Sequence, residues 1–240
     1  MITQVVITAG GAGTRLKPLT NSIPKVMIPL DGKPLLEHHI DHFKKHGAGE
    51  FFLTLHYMPE KITEYFGDGS QWGVKIFYHI EKTPLGDMGG IKAFEDALHV
   101  EFFFLWGDVY TAVDYLKMAE RFHALDGAVG IERVEKVEYK SEADFVGLDE
   151  RMRFVEIHKK NGERPKGPVH RLRGSTIYRK RILSHISGNT PFYKGKDLLP
   201  RLLETGEEIY GYECSEYSKG IDTMEKYQEV EEYIKKTKER

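Results

Sequence analysis

Cysteine is nearly absent. Cys214 stands alone in 240 residues, so no intrachain disulfide can form, and a single thiol of this kind fits a reducing compartment and reads as a small packed hydrophobe. No apolar stretch approaches the roughly 20 residues that a membrane-spanning helix needs, and the opening MITQVVITAGG lacks the length and the basic flank of a signal peptide. The expected location is therefore the cytoplasm. Charge of one sign is also missing. Against 37 acidic residues stand 35 basic ones, giving a formal net charge of -2, so no global field draws the chain to nucleic acid or to an anionic membrane. Any anion binding must be local. Internal repeats, low-complexity tracts and linker-like segments are lacking too, which leads us to expect one domain spanning residues 1–240.

What is present is an alternation of strand and helix signals. Ile2 to Ala9 is a β-branched run, apolar on both faces, that ends in glycines and so reads as a buried parallel strand. Helical spacing of Leu35, Leu36, Ile40 and Phe43 follows, then a strand at 51–55, a helix near 60–66, a strand at 74–78, a helix near 89–98 and a strand at 101–106. Repeated βαβ units predict an α/β fold with a mostly parallel sheet covered by helices. Beyond Asp114 a helix to about Ala124 precedes short strands near 127–134, 145–148 and 154–157, a small antiparallel addition. The polar stretch 159–168 reads as an exposed loop, 172–178 as a strand, 195–204 as a helix and 225–236 as an amphipathic helix.

The first strand delivers its chain into Ala9, Gly10, Gly11, Ala12, Gly13, Thr14, Arg15 and Leu16. Three glycines here let successive backbone N–H groups converge on an anion, for which phosphate is the natural guest. The dinucleotide fingerprint needs a glycine where Leu16 stands, and no Gly-Lys-Ser/Thr P-loop ending occurs, so an NAD-dependent oxidoreductase and a Walker-type site are both disfavoured. Arg15 brings a multi-donor planar cation, and Lys25, after Pro24, rims the same loop; both read as exposed loop cations.

GGAGTRLKPLT with PKVMIPLDGKPLLEHHI after it resembles the signature of the sugar-nucleotide pyrophosphorylases, the sugar-1-phosphate nucleotidyltransferases that include mannose-1-phosphate and heptose-1-phosphate guanylyltransferases. The likeness continues through FGDGSQWGVKIFYHIEKTPLGDMGGI, FFFLWGDVY and GIDTMEKYQEVEEYI and covers essentially the whole chain. It implies a Rossmann-like nucleotide-diphospho-sugar transferase fold, a nucleoside triphosphate and a sugar 1-phosphate as ligands, and Mg²⁺ as cofactor, and it leaves open whether the protein forms a homo-oligomer. It further implies nucleotide contacts at Ala9, Gly10, Gly11, Gly13, Thr14, Glu81 and Gly86, catalytic roles for Arg15, Lys25 and Asp108, a sugar-phosphate contact at Lys160, and a metal held by Asp108 and Asp222. Asp108 follows a hydrophobic strand, at the carboxyl end where open α/β sheets place ligands. Asp222 has two readings, as metal ligand or as cap of the last helix. The closest pyrophosphorylases carry the second aspartate where Gly220 stands here, whereas related enzymes use an Ile-Asp-Thr arrangement like this one.

At the base site the resemblance puts Glu81 where thymidylyl- and uridylyltransferases carry glutamine. A carboxylate accepts two hydrogen bonds and so matches guanine's N1–H and N2–H₂, which favours GTP; a solvated strand-end charge is the bland alternative. Asp87 replaces the family's usual threonine. At the sugar end, Lys159 and Lys160 stand where Glu-Lys is usual, and Gly174, Ser175 and Thr176 replace Asn-x-Gly, so an unusual sugar such as a heptose is compatible. His38, His39, His42 and His46 lack a partner pattern for zinc and read as a helix face. The competing functions are a thymidylyl-, uridylyl- or cytidylyltransferase of the same fold and a catalytically silent subunit that only binds sugar nucleotides.

Overall fold

The computed structural model describes residues 1–139, 145–159, 165 and 167–238. The chain forms two compact units, one of residues 1–84, 105–113 and 216–240 and the other of residues 85–104 and 114–215. The fold class is the expected α/β one, a mostly parallel sheet flanked by helices with antiparallel additions.

In the first unit the strand Gln4–Thr8 is buried through Ile7 on both faces, which is why Val5, Val6 and Ile7 follow one another as β-branched apolar residues. It pairs in parallel with Glu50–Leu55, Val5 facing Phe51 and Ile7 facing Leu53, and that strand pairs in parallel with Lys75–Ile80. Two helices, Leu35–Lys45 and Pro59–Phe66, connect these strands. The first buries Leu35, Leu36, Ile40 and Phe43, the spacing read from the sequence; the second opens on Pro59, whose missing N–H costs nothing in a first turn. The last helix, Met224–Lys238, lays Val230 and Ile234 into a cluster with Leu16, Ile28, Leu30, Leu35 and Ile221. Each such side chain contributes about 1.5–3 kcal/mol when fully buried. The segment after the glycine loop is thereby fixed to residues near the other end of the sequence.

In the second unit Val169–Arg179 pairs antiparallel with Gly130–Val137 and with Phe145–Leu148, and the latter pairs with Phe154–His158. The helix Tyr115–His123 starts where Asp114 accepts from the N–H groups of Leu116 and Lys117, at 3.1 and 3.2 Å. Two expected α-helices differ. Residues 89–94 wind as a 3₁₀ helix because Gly89 and Gly90 open the segment with poor helix propensity, and Gly89 is pressed so close to Thr190 that a Cβ there would lie 3.1 Å from its carbonyl oxygen. The helix expected from Gly195 opens as a π-turn, Lys194–Leu198, with the N–H groups of Asp197 and Leu198 both donating to Tyr193 O, before Leu199–Glu204 continues as α-helix. The strands Ile209–Tyr212, Val109–Thr111 and Ser218–Gly220 were not expected; three or four residues are too few to show a period. Most of the loop expected at 159–168 lies outside the described residues.

Candidate active site

The glycine loop leaves the first strand while still held to its neighbour. Ala9 N–H donates to Thr54 O at 2.9 Å and Gly10 O accepts from Tyr57 N at 3.4 Å. At Gly10 a Cβ would lie 3.2 Å from the Cβ of His56, so the close passage favours glycine. Gly13 takes φ +60°, and a Cβ there would meet Thr20 Cγ2 at 3.0 Å and Lys25 Cβ at 3.1 Å. Its carbonyl accepts from Thr20 Oγ1 at 2.8 Å and Leu16 N at 2.9 Å. One side of the loop is thus packed on Thr20 and the Lys25 stem, while Gly11, Thr14 and Arg15 are exposed.

Lys25 is not the exposed cation expected. It retains 8% of its accessible surface because two carboxylates from distant segments converge on it. Its Nζ donates to Asp108 Oδ2 at 2.6 Å and lies 3.8 Å from Asp222 Oδ1. The strand Glu101–Trp106 delivers Asp108 through Gly107, whose N–H donates to Thr8 O at 2.9 Å. A Cβ at Gly107 would sit 2.6 Å from that oxygen. Asp222 arrives by a two-stranded ribbon in which Gly220 faces Val109, and Ile221 N–H closes onto Asp108 O at 2.8 Å.

The cap reading of Asp222 fails, since Thr223 Oγ1 accepts from Lys226 N at the start of the last helix. Asp222 instead accepts through Oδ2 from Lys226 Nζ. Burial pushes its carboxyl up, but the hydrogen bond and charge of Lys226, with the charges of Lys25 and Arg15, outweigh that and hold it below the usual aspartate value. A Cβ at Gly220 would lie 3.7 Å from Asp222 Oδ1, so the carboxylate occupies the region into which a side chain at 220 would project.

The residues fit a hard divalent cation. Two carboxylates already embrace an ammonium, their donors are oxygens, and Mg²⁺ needs only one or two carboxylates when phosphate and water complete its shell. Among the described residues no cluster of three or more His, Cys, Asp or Glu could form a closed protein-only metal site.

Glu81 is buried to 7% exposure, which overturns the solvated-charge alternative. Its N–H donates to Leu55 O at 2.7 Å and its carbonyl accepts from His56 Nδ1 at 2.9 Å, so His56 links it to the loop at Gly10. Gly86 belongs to the second unit, with φ +78° and so little room that a Cβ would fall 2.4 Å from Phe192 O. Only glycine fits there, whatever else the position does. Lys160 lies outside the described residues.

A model of the nucleotidyl transferase family matches residues 4–236. The chain belongs to this family. It is similar to a mannose-1-phosphate guanylyltransferase of Mycobacterium tuberculosis, with 30% identity over 93% of the chain and 62% of that protein, and to a UTP–glucose-1-phosphate uridylyltransferase of Synechocystis, with 28% identity over 86% and 57%. It therefore spans only about three-fifths of the length of these curated relatives. Among solved structures it is similar to HddC from Yersinia pseudotuberculosis complexed with GMP-PN, with a TM-score of 0.77 and 26% identity over 97% of the chain and 100% of that one.

This nucleotidyl transferase chain also carries polar groups that sequence reasoning missed. Lys194, fully buried, donates from Nζ to Glu132 Oε2 at 2.6 Å and to Thr176 Oγ1 at 2.7 Å, with the Phe104 ring centroid 4.6 Å away. Its backbone N–H donates to Asp87 Oδ1 at 2.8 Å, which gives Asp87 a structural account that the sequence could not. The departure at Thr176 is thus tied to a buried ion pair. The four histidines each bond a backbone carbonyl, His38 that of Leu30, His39 that of Gly107, His42 that of Val113 and His46 that of His42. Cys214 accepts from Arg133 Nε at 3.3 Å.

Proposed function

We propose that the chain is an enzyme that transfers a nucleotidyl group from a nucleoside triphosphate, with GTP preferred, to a sugar 1-phosphate, releasing pyrophosphate. The observation that carries this reading is the convergence of Lys25, Asp108 and Asp222 beneath the glycine loop, in a chain of the nucleotidyl transferase family. Retention of Arg15, Lys25 and Asp108 favours this reading over a catalytically silent binding subunit.

In this reading a phosphate oxygen of the sugar 1-phosphate attacks the α-phosphorus as the bond to pyrophosphate breaks, without a covalent intermediate. A phosphate monoester is already anionic, so no strong general base is required, and the protein's work is positioning and charge stabilisation. Arg15, exposed at the loop, binds the outer phosphates together with the loop amides, and Lys25 offsets charge at the α-phosphate. Asp108 and Asp222 would hold Mg²⁺, which when bound supplies a second positive centre against the polyphosphate.

The preference for GTP rests on Glu81. A carboxylate carries two acceptor oxygens, which match the adjacent N1–H and N2–H₂ donors of guanine, and burial at 7% exposure would strengthen such a contact. Uracil and thymine would set a carbonyl against it, at a cost of about 1–3 kcal/mol. The similarity to HddC complexed with GMP-PN and to a guanylyltransferase supports this; the similarity to a uridylyltransferase keeps UTP as the second reading. A pyrophosphate-release screen of GTP, UTP, dTTP, CTP and ATP against mannose, glucose and heptose 1-phosphates tests both levels. No release with any pair would overturn the enzyme reading, and equal kcat/KM for GTP and UTP would overturn the guanine reading alone.

A further inference from the structure

The charges of the first unit form a row, Asp108, Lys25, Asp222, Lys226, alternating in sign. The family signature accounts for the first three, and nothing in it calls for the fourth. We infer that Lys226 is a positioning residue that occupies the Asp222 carboxylate until the nucleotide arrives, so that a divalent cation enters as its triphosphate complex rather than alone. The inference rests on the metal reading of Asp108 and Asp222.

Three observations carry it. Both oxygens of Asp222 face ammonium groups, Oδ2 bonded to Lys226 and Oδ1 3.8 Å from Lys25, so a bare cation must compete for each. The two ammonium groups of Lys25 and Lys226 balance the two carboxylates, so no net negative charge is left to draw in a lone metal ion, whereas a polyphosphate brings its own. The Lys226 side chain is 38% exposed against 24% for the Asp222 it holds and 10% for Lys25, so it can swing away without disturbing the core. Its backbone is held independently, by the Thr223 cap. A surface ion pair of this spacing would ordinarily have little consequence; here its acid is a proposed metal ligand.

A unit charge about 4 Å from a divalent ion changes its affinity by about 30-fold even at the permittivity of water. Mn²⁺ alone is the probe, titrated into nucleotide-free protein and followed by the electron paramagnetic resonance of the free ion. Lys226→Met should tighten Mn²⁺ binding by up to about 30-fold, Lys226→Arg should behave as wild type, and the gain in Lys226→Met should narrow when a non-hydrolysable GTP analogue is present. An unfolding midpoint close to wild type checks that the variants are folded. Unchanged or weaker Mn²⁺ binding in Lys226→Met, with Asp108→Asn and Asp222→Asn each weakening it, overturns the role of Lys226 and leaves the metal reading intact. Binding indifferent to both asparagine variants removes the metal reading and this inference together.

Discussion

Replacing Lys194 with methionine removes a cation from the interior while keeping most of the stem's volume. In the native chain Lys194 and Glu132 are both fully buried, and Lys194 Nζ is satisfied by Glu132, by Thr176 and by the face of Phe104. In the variant Glu132 keeps the Thr176 hydroxyl but loses its countercharge. Removing one partner of a buried pair costs about 3–5 kcal/mol, because the other charge is left without water or counter-ion. For a chain of this length roughly 2–4 °C of melting temperature is lost per kcal/mol, so a drop of about 6–20 °C is expected. Burial already raises the Glu132 carboxyl above its usual value against the opposing pull of Lys194, and without the lysine it rises further. A folded-state acid whose pKa is raised favours the protonated form, so the variant's deficit is full above the folded pKa and shrinks as pH falls towards the unfolded value. Glu132→Gln added to Lys194→Met should recover most of the loss. Calorimetry and urea unfolding of wild type, single and double variants, at neutral and mildly acidic pH, measure all of this. A single variant within about 1 kcal/mol of wild type, or a double variant no more stable than the single, would refute the reasoning.

Lys25→Ala should lower pyrophosphate release by about 10²- to 10³-fold and, because the lysine is buried, should also cost about 1–2 kcal/mol of stability, discounted for the partial exposure of Asp108; wild-type turnover at saturating substrate would remove it from the site. Arg15→Ala, at an exposed position, should show the rate loss without the stability loss, as comparison of its melting temperature and kcat will reveal. Glu81→Gln should shift the kcat/KM ratio of GTP to UTP towards UTP by roughly 5- to 150-fold, and an unchanged ratio rules out the base contact. His39 is buried against Gly107 O, and burial lowers its pKa to about 3, so below its unfolded value the unfolded chain takes up a proton that the folded chain refuses. Stability should therefore fall with acidification by up to about 1.4 kcal/mol per pH unit, and His39→Gln, which can still donate to Gly107, should flatten that slope; equal slopes in urea unfolding would exclude His39 as the source.

Much of the first unit was legible because its elements are long enough to show a period. The strand Gln4–Thr8 and the helix Leu35–Lys45 carry patterns that neighbours reinforce, and Asp108 could be placed from the rule that ligands gather at strand carboxyl ends. The ribbon of Val109–Thr111 with Ser218–Gly220 was not legible, since its pairing joins three-residue strands more than a hundred residues apart. With it went the proximity of Asp222 to Asp108. Lys25 was misjudged for a related reason: lysine is ordinarily exposed, and its burial here depends on two carboxylates that only the fold brings near. Nothing local marks Lys194 as buried either, because its partner Glu132 lies on a strand whose pattern reads equally well with a solvent-facing glutamate. Asp222 was one candidate for the cap of the last helix, and the residue that caps it is Thr223, an offset of one position that lies below the precision of any boundary drawn from sequence.

Because Leu16, Ile28 and Leu30 pack on Ile221, Val230 and Ile234 as well as on Leu35, the segment bearing Arg15 and Lys25 completes its apolar support after some 200 further residues have been synthesised. At about 5–20 residues per second that interval is roughly 10–40 s. For its duration the nascent chain displays those side chains to chaperones, and Lys25 has at most one of its two carboxylates. The candidate site is in this sense assembled from its two far ends, and the glycine loop and Lys25 wait for Asp222 before the charges that face them are complete.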